Sequence, residues 1–284
     1  MSIKRGMTLR AQWLGRELRE LREAAGLTAS EVAGYIERTG ATVSRFEAGL
    51  YPARTSDVQV LLNLYGVDDP QRRDNLVRLA TEVWQTGWWE SYSDALSKNT
   101  IDYAWIESRA RLVRSFDALV VPGLLQTRAY MEAVISAADP DASAEQMMSW
   151  VRFRLTRQQV LTDREPPHIE AILDESVLHR APGALETMAS QLSYLIDLAE
   201  RPTVDIRVLP FASGAHASPE GAFMIFELPS PYPDVAFVDT PAGGIYVETR
   251  GVQRLETKYR HIRRRALDPD ESVGLIRAAA DRYA

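Results

Sequence analysis

The chain has 284 residues, of which 45% are hydrophobic and 25% charged, with no cysteine and a formal net charge of −6. That length carries a small domain and a larger one, and the composition is that of an ordinary globular protein. Disulfides and thiolate metal sites are excluded, no run approaches membrane-spanning length, and the basic start MSIKRGMTLRAQW lacks the apolar stretch of a signal peptide, so a cytoplasmic location is expected.

Apolar residues at Trp13, Leu14, Leu18, Leu21 and Ala25 recur every three or four positions. They predict a first helix with one buried face, stopped by Gly26. Thr28 opens a second helix; Glu31 completes a capping box, and Val32, Ala33 and Ile36 turn inward. After a short connection at Glu37-Arg38, Thr39 is the N-cap of a third helix running from about Gly40 to Ala48. Val43 and Phe46 point inward, Gly40, Ala41, Thr42, Ser44 and Arg45 lie on the outer side, and Gly49 is the stop. Ser56 is the expected cap of a fourth helix that buries Val58, Leu61, Leu62 and Tyr65 and ends at Gly66. The tight turn between the second and third helices marks a helix-turn-helix unit with its core at 14–66. It sits in a mainly α domain spanning 1–80.

The run LRELREAAGLT, the EVA that follows it and TVSRFEAG resemble the Cro/repressor-type helix-turn-helix family, often called the Xre family, over about Leu14 to Leu64. The resemblance implies binding to double-stranded DNA, with the third helix in the major groove. The DNA-facing candidates are then Thr28, Thr39, Gly40, Ala41, Thr42, Ser44 and Arg45. Two positions depart from the family pattern. Ala29 stands where a phosphate-contacting Gln is common, and Gly40-Ala41 stand where longer polar side chains are common. Readout therefore falls mainly to Thr39, Thr42, Ser44 and Arg45. Arginine is the usual partner of guanine O6 and N7, and Ala41 or the Thr42 methyl suits a thymine methyl. The alternative for Arg45 is a surface ion pair within its own helix. Residues 1–78 hold 12 Lys+Arg against 10 Asp+Glu, and the remainder holds 21 against 29. So weakly positive a unit binds DNA weakly alone, and a homodimer on paired half-sites is expected. Lys4, Arg5 and Arg10 read either as a short basic arm or as a solvated tail.

Asp69-Pro70 opens a helix through about Trp84. Trp84, Trp88, Trp89 and Tyr92 follow as an aromatic joint or, alternatively, a ligand cage, and the domain boundary is placed near residue 80. Residues 103–114 read as a helix, and Phe116 to Val121 as a buried strand stopped by Pro122-Gly123. Helices are expected at about 128–137, 143–161, 183–200, 252–266 and 269–282. Strands are expected at 168–173, 204–209, 222–228, 235–238 and 245–247. The fold class is a mainly α helix-turn-helix domain followed by an α+β domain over 81–284.

The segments VPGLLQT, RQQVL, LDESVLHR and LPFASGAH resemble a carboxy-terminal domain of unknown function found in actinobacterial WhiJ-like regulators, over about 85–270. That resemblance implies a regulatory domain with dimerisation, effector or partner-sensing roles, and a small acidic or polar partner protein encoded nearby. Among the histidines there is no close ligand pair, so no metal, cofactor or catalytic residue is nominated. Asp174 reads as an N-cap rather than half of an acid–base pair, and Ser213, His216 and Ser218 lack a nucleophile elbow. Loops at 122–127 and 210–219 suit the rim of a pocket, where Arg109, Arg152 and His216 are candidates to orient an anionic small-molecule effector. Two rival readings stand beside the regulator: a protein-interaction module whose helix-turn-helix does not read DNA, and an enzyme fused to a DNA-binding domain.

Overall fold

The structure, a computed structural model, describes residues 8–85, 87–92 and 96–283. The chain divides into two units, residues 1–91 and 92–284.

The first unit contains helices α1 (Leu9–Ala24), α2 (Ala29–Tyr35), α3 (Gly40–Glu47), α4 (Thr55–Leu64) and α5 (Pro70–Trp84). The capping box of Thr28 and Glu31 forms from both sides, and Thr39 caps α3 through the Thr42 amide. α1 starts earlier than its apolar spacing predicts, because the Thr8 hydroxyl accepts from the Ala11 amide and caps it. That early start draws Arg10 into the helix and buries it. Its Nη1 donates to the Glu82 carbonyl at 2.9 Å, in the last turn of α5, where a cation complements the helix dipole. Arg10 is therefore part of the core and not of a basic arm; Lys4 and Arg5 lie outside the described residues. A second correction concerns α4. It begins at Thr55 after Arg54, with no side-chain cap, so Ser56 is not its N-cap.

The second unit is built on a six-stranded sheet. Its strands are β1 (Leu112–Asp117), β2 (His168–Asp174), β3 (Val204–Leu209), β4 (Phe223–Glu227), β5 (Val235–Val238) and β6 (Ile245–Glu248). They lie in the order β3-β2-β1-β4-β5-β6. β1, β2 and β3 run parallel, and β4, β5 and β6 add antiparallel neighbours. The helices are α6 (Lys98–Glu107), α7 (Arg128–Ala138), α8 (Ala144–Gln158), α9 (Leu185–Ala199), α10 (Arg250–Arg263) and α11 (Pro269–Ala280). The expected class, mainly α followed by α+β, is the one observed.

One stretch differs. Residues 103–114 are not a single helix, and 116–121 is not the strand: α6 ends at Glu107 and β1 occupies Leu112–Asp117. Arg114, Ser115 and Asp117 disguise β1 as a polar segment. Its charged Arg114 is accommodated by the neighbouring strand, where Arg114 Nε pairs with Glu170 of β2 at 3.3 Å.

The two faces of the sheet are covered differently. Phe116, Ile172, Ile225 and Ala236 share one face by register and pack on Val252, Tyr259 and Ile262 of α10. On the other face Tyr103 of α6 meets Phe226 and Phe237 edge-on, at 5.4 and 4.8 Å. The free edge of β3 is closed by the connection into α11: Leu267 N donates to Val208 O, and Val208 N donates to the Ser272 hydroxyl. Closing an edge removes a template for unwanted strand pairing.

Asp117, at the end of β1, is buried, and its Oδ2 has no hydrogen-bond partner among the described residues. Burial pushes its carboxyl up to about 7, with the Ser115 hydroxyl acting the other way. The folded unit then holds a proton that the unfolded chain releases above the ordinary carboxylate range. Stability therefore falls as pH rises through about 4 to 7. Urea unfolding at pH 5 and pH 8 should show the wild type losing roughly 2–3 kcal/mol relative to Asp117→Asn between the two values. Parallel pH profiles for the two proteins would contradict this.

Candidate nucleic-acid interface

α3 is eight residues long, too short to hold its shape alone. Three features of the packing fix it. First, Val43 and Phe46 are buried, at 1% and 3% exposure, which leaves the opposite side outward. Second, Arg22 of α1 grips Glu47 of α3 with a two-pronged contact, Nε to Oε1 at 2.6 Å and Nη2 to Oε2 at 3.0 Å. Its remaining nitrogen, Nη1, donates to Leu27 O in the turn before α2. Both side chains are nearly buried, and hydrogen bonding to Glu47 raises the Arg22 guanidinium further above its ordinary value. Third, the backbones touch. A Cβ on Gly15 would stand 2.4 Å from the Phe46 carbonyl, and one on Gly49, at φ +66°, 2.8 Å from Gln12 Cα. Glycine is the residue that permits such approach.

None of the seven candidate residues is buried: Thr28, Thr39, Ala41, Ser44 and Arg45 are exposed, Gly40 and Thr42 partly so. The Thr39 and Thr42 hydroxyls lie 3.0 Å apart, and Thr28 bonds Glu31, so these three hydroxyls are oriented by local caps. Among the described residues the Arg45 side chain makes no hydrogen bond or ion pair, which removes the intrahelical ion pair as its explanation. Leu50 and Tyr51 follow α3 directly and remain 55% and 48% exposed, the Tyr51 ring stacking on Phe46 at 6.0 Å. Reading by helical periodicity passes over both, although an apolar pair just after a helix stop is a visible signal. Trp84 belongs to this unit too, donating from Nε1 to Ala53 O at 2.9 Å.

In the second unit Arg109 lies in the turn after α6, exposed. Arg152 bonds the Met148 carbonyl of its own helix, and His216 accepts from Ser218 N beside the Phe116 ring. Among the described residues no hydrogen bond or ion pair joins these three. A cleft of about 350 Å³ opens instead where β1, β2 and β3 begin, lined by Arg111, His168, Glu170, Asp205 and Glu227 among others. Two of its acids are already engaged: Glu170 by Arg114 and Tyr259, Asp205 by Arg207 and Arg263. Among the described residues no group of His, Asp and Glu gathers to hold a metal. No helix among them is long and apolar enough to cross a membrane.

Comparison with family models gives two matches. A helix-turn-helix domain model matches residues 13–76. The model of a domain of unknown function, DUF5753, matches residues 100–278, more than half of the chain. The chain belongs to the DUF5753 family. The helix-turn-helix match, on the same helices that carry the exposed α3 face, marks it as a DNA-binding regulator. No curated protein and no solved structure matches it.

The DUF5753 unit uses its sequence motifs as fasteners. VPGLLQT follows the end of β1, and Gln158 of RQQVL donates to three of its carbonyls, Gly123, Leu124 and Gln126. Gln191 of α9 accepts from Thr127 N and donates to Leu125 O. LDESVLHR leaves β2, where Asp174 caps Ser176 and Glu175 accepts from Phe211 N. LPFASGAH leaves β3, and Arg265 holds it through the Ser213 and Ala215 carbonyls. Ser213 and Ser218 donate to the Arg265 and Gly221 carbonyls, so neither hydroxyl is poised as a nucleophile. RQQVL also supplies Arg157, which forks onto Glu107 at 2.7 and 2.8 Å and joins α8 to α6.

The Arg22–Glu47 pair makes a direct prediction for the first unit. Glu47→Ala leaves a nearly buried guanidinium uncompensated and should lower stability by about 2–4 kcal/mol. A double-mutant cycle with Arg22→Ala, followed by urea denaturation, should show a coupling above about 1 kcal/mol. Additive losses would mean that the pair does not fix α3.

Proposed function

We propose that this chain is a sequence-specific transcriptional regulator of the Xre type, with α3 docked in the major groove of double-stranded DNA. In this reading Thr39, Gly40, Ala41, Thr42, Ser44 and Arg45 face the bases, and Thr28 lies toward the phosphates. The observation that carries it is the free Arg45 guanidinium on the exposed face of a helix locked by Arg22–Glu47. Arginine forks onto guanine O6 and N7, whereas Gly40 and Ala41 bring the backbone close and leave room for thymine methyls. The DUF5753 domain serves dimerisation and the sensing of a small-molecule effector or a small partner protein. Dimerisation suits the weak positive charge of residues 1–78, since two half-sites add what one unit lacks.

A second reading, a protein-interaction module, is favoured by one observation: the short side chains of Gly40 and Ala41 at the start of α3. The same titration separates the two. Full-length protein is titrated by fluorescence anisotropy onto its own upstream DNA and a scrambled duplex. Arg45→Ala should weaken binding to the upstream duplex by about 1–3 kcal/mol with unchanged thermal stability. A preference unaffected by Arg45→Ala removes it from readout, and binding without salt dependence favours the protein-interaction module.

A further inference from the structure

The second unit concentrates positive charge on one helix. Residues 92–284 hold 21 Lys+Arg against 27 Asp+Glu, yet 250–265 alone hold seven cations against the single acid Glu256. Without that segment the unit is left with 14 cations against 26 acids. α10 buries Val252, Tyr259 and Ile262 against the sheet. Its opposite side carries Arg250, Gln253, Arg254, Thr257, Arg260, His261 and the C-cap Arg264, all exposed. Positions 250, 254, 257, 261 and 264 follow the helical repeat and form one stripe, about 21 Å long at 1.5 Å per residue.

Intramolecular pairing accounts for only part of this charge. Lys258 is held by Glu220, Arg263 by Asp205, and Arg265 by the carbonyls of the 210–219 loop. Among the described residues the Arg250 and Arg264 side chains make no hydrogen bond or ion pair, and Arg260 reaches only the Thr257 hydroxyl. Stabilisation of the helix dipole explains cations in the last turn, where Arg260, His261 and Arg263 stand. It does not explain Arg250 in the first turn, where a cation opposes the dipole. There the N-cap Thr249 provides no side-chain cap, and no acid is present in that turn. The charge at this end works against the helix and suits an external anion.

We propose that the exposed arginine face of α10 is a second contact with duplex DNA, made to phosphates and independent of base sequence. Its exposed positions include no apolar residue, so it lacks the apolar centre that a protein interface is built on. Spaced guanidinium groups on a rigid helix are suited to a phosphate backbone. This inference rests on the DNA-binding reading of the first unit.

The test uses full-length protein, its own upstream duplex and a scrambled duplex of equal length, titrated from about 50 to 300 mM salt. The triple variant Arg250→Ala, Arg254→Ala and Arg264→Ala should make the slope of log affinity against log salt shallower by roughly 2–3, at about 0.9 for each phosphate left unneutralised. Affinity for both duplexes should fall about tenfold or more at the lower end of that range, where phosphate neutralisation contributes most, with the preference between them preserved. The single variant Arg250→Glu separates binding from folding. It should raise thermal stability by relieving the helix N-terminus while weakening DNA binding. If the wild type binds with salt dependence and the triple variant matches it in affinity and slope, the α10 contact is overturned while the first unit's reading stands. If the wild type binds neither duplex, both are overturned.

Discussion

The forked contact between Arg22 and Glu47 is the constraint on which the first unit's exposed face depends. α3 has two inward apolar residues, Val43 and Phe46, too few to fix its rotation about its own axis. The guanidinium fork supplies the missing restraint, and its third nitrogen ties in the turn before α2 through Leu27 O. Gly15 and Gly49 let the α1 backbone come close enough for that fork to close. The Glu of SRFE thus serves the architecture, while Arg45, two positions earlier in the same motif, is left free. One four-residue motif divides its work between holding the helix and presenting it.

The DUF5753 unit follows a different logic. β1 is central and accepts a charged residue because its neighbour answers it, as Glu170 does for Arg114. The loops that leave the three parallel strands are held by Gln158, Gln191, Glu175 and Arg265 through backbone atoms. Side chains that bond backbone carbonyls and amides constrain loop shape without depending on what the loop residues are. Recognisable motifs at these positions therefore reflect how the unit is closed as much as what it binds.

Legibility in the sequence follows the range of the interaction. The Thr28–Glu31 box, the Thr39 cap and the inward turn of Val43 and Phe46 are local and can be read from spacing. Arg22–Glu47 joins residues 25 apart in the chain, and spacing carries no trace of it. Arg10 near a basic start reads as solvent-exposed, and only the Glu82 carbonyl across the unit explains its burial. β1 escapes a reading by pattern because LVRSFD mixes charge and polarity as a helix end does, while its strand pairing comes from β2 and β4. α10 is legible as a helix, but the one-sided placement of its arginines emerges only once its buried face is known.

Two cationic surfaces of different character result. On α3 a single free arginine stands among small residues, a composition suited to reading bases; on α10 several arginines line one polar face, suited to charge alone. The central claim concerns α3, and amide hydrogen exchange of the full-length protein, with and without its upstream duplex, tests it most directly. The account predicts slowed exchange on DNA binding at residues 39–45 and no change in the α1 core around Leu18. Binding that leaves 39–45 exchanging as in the free protein would contradict it.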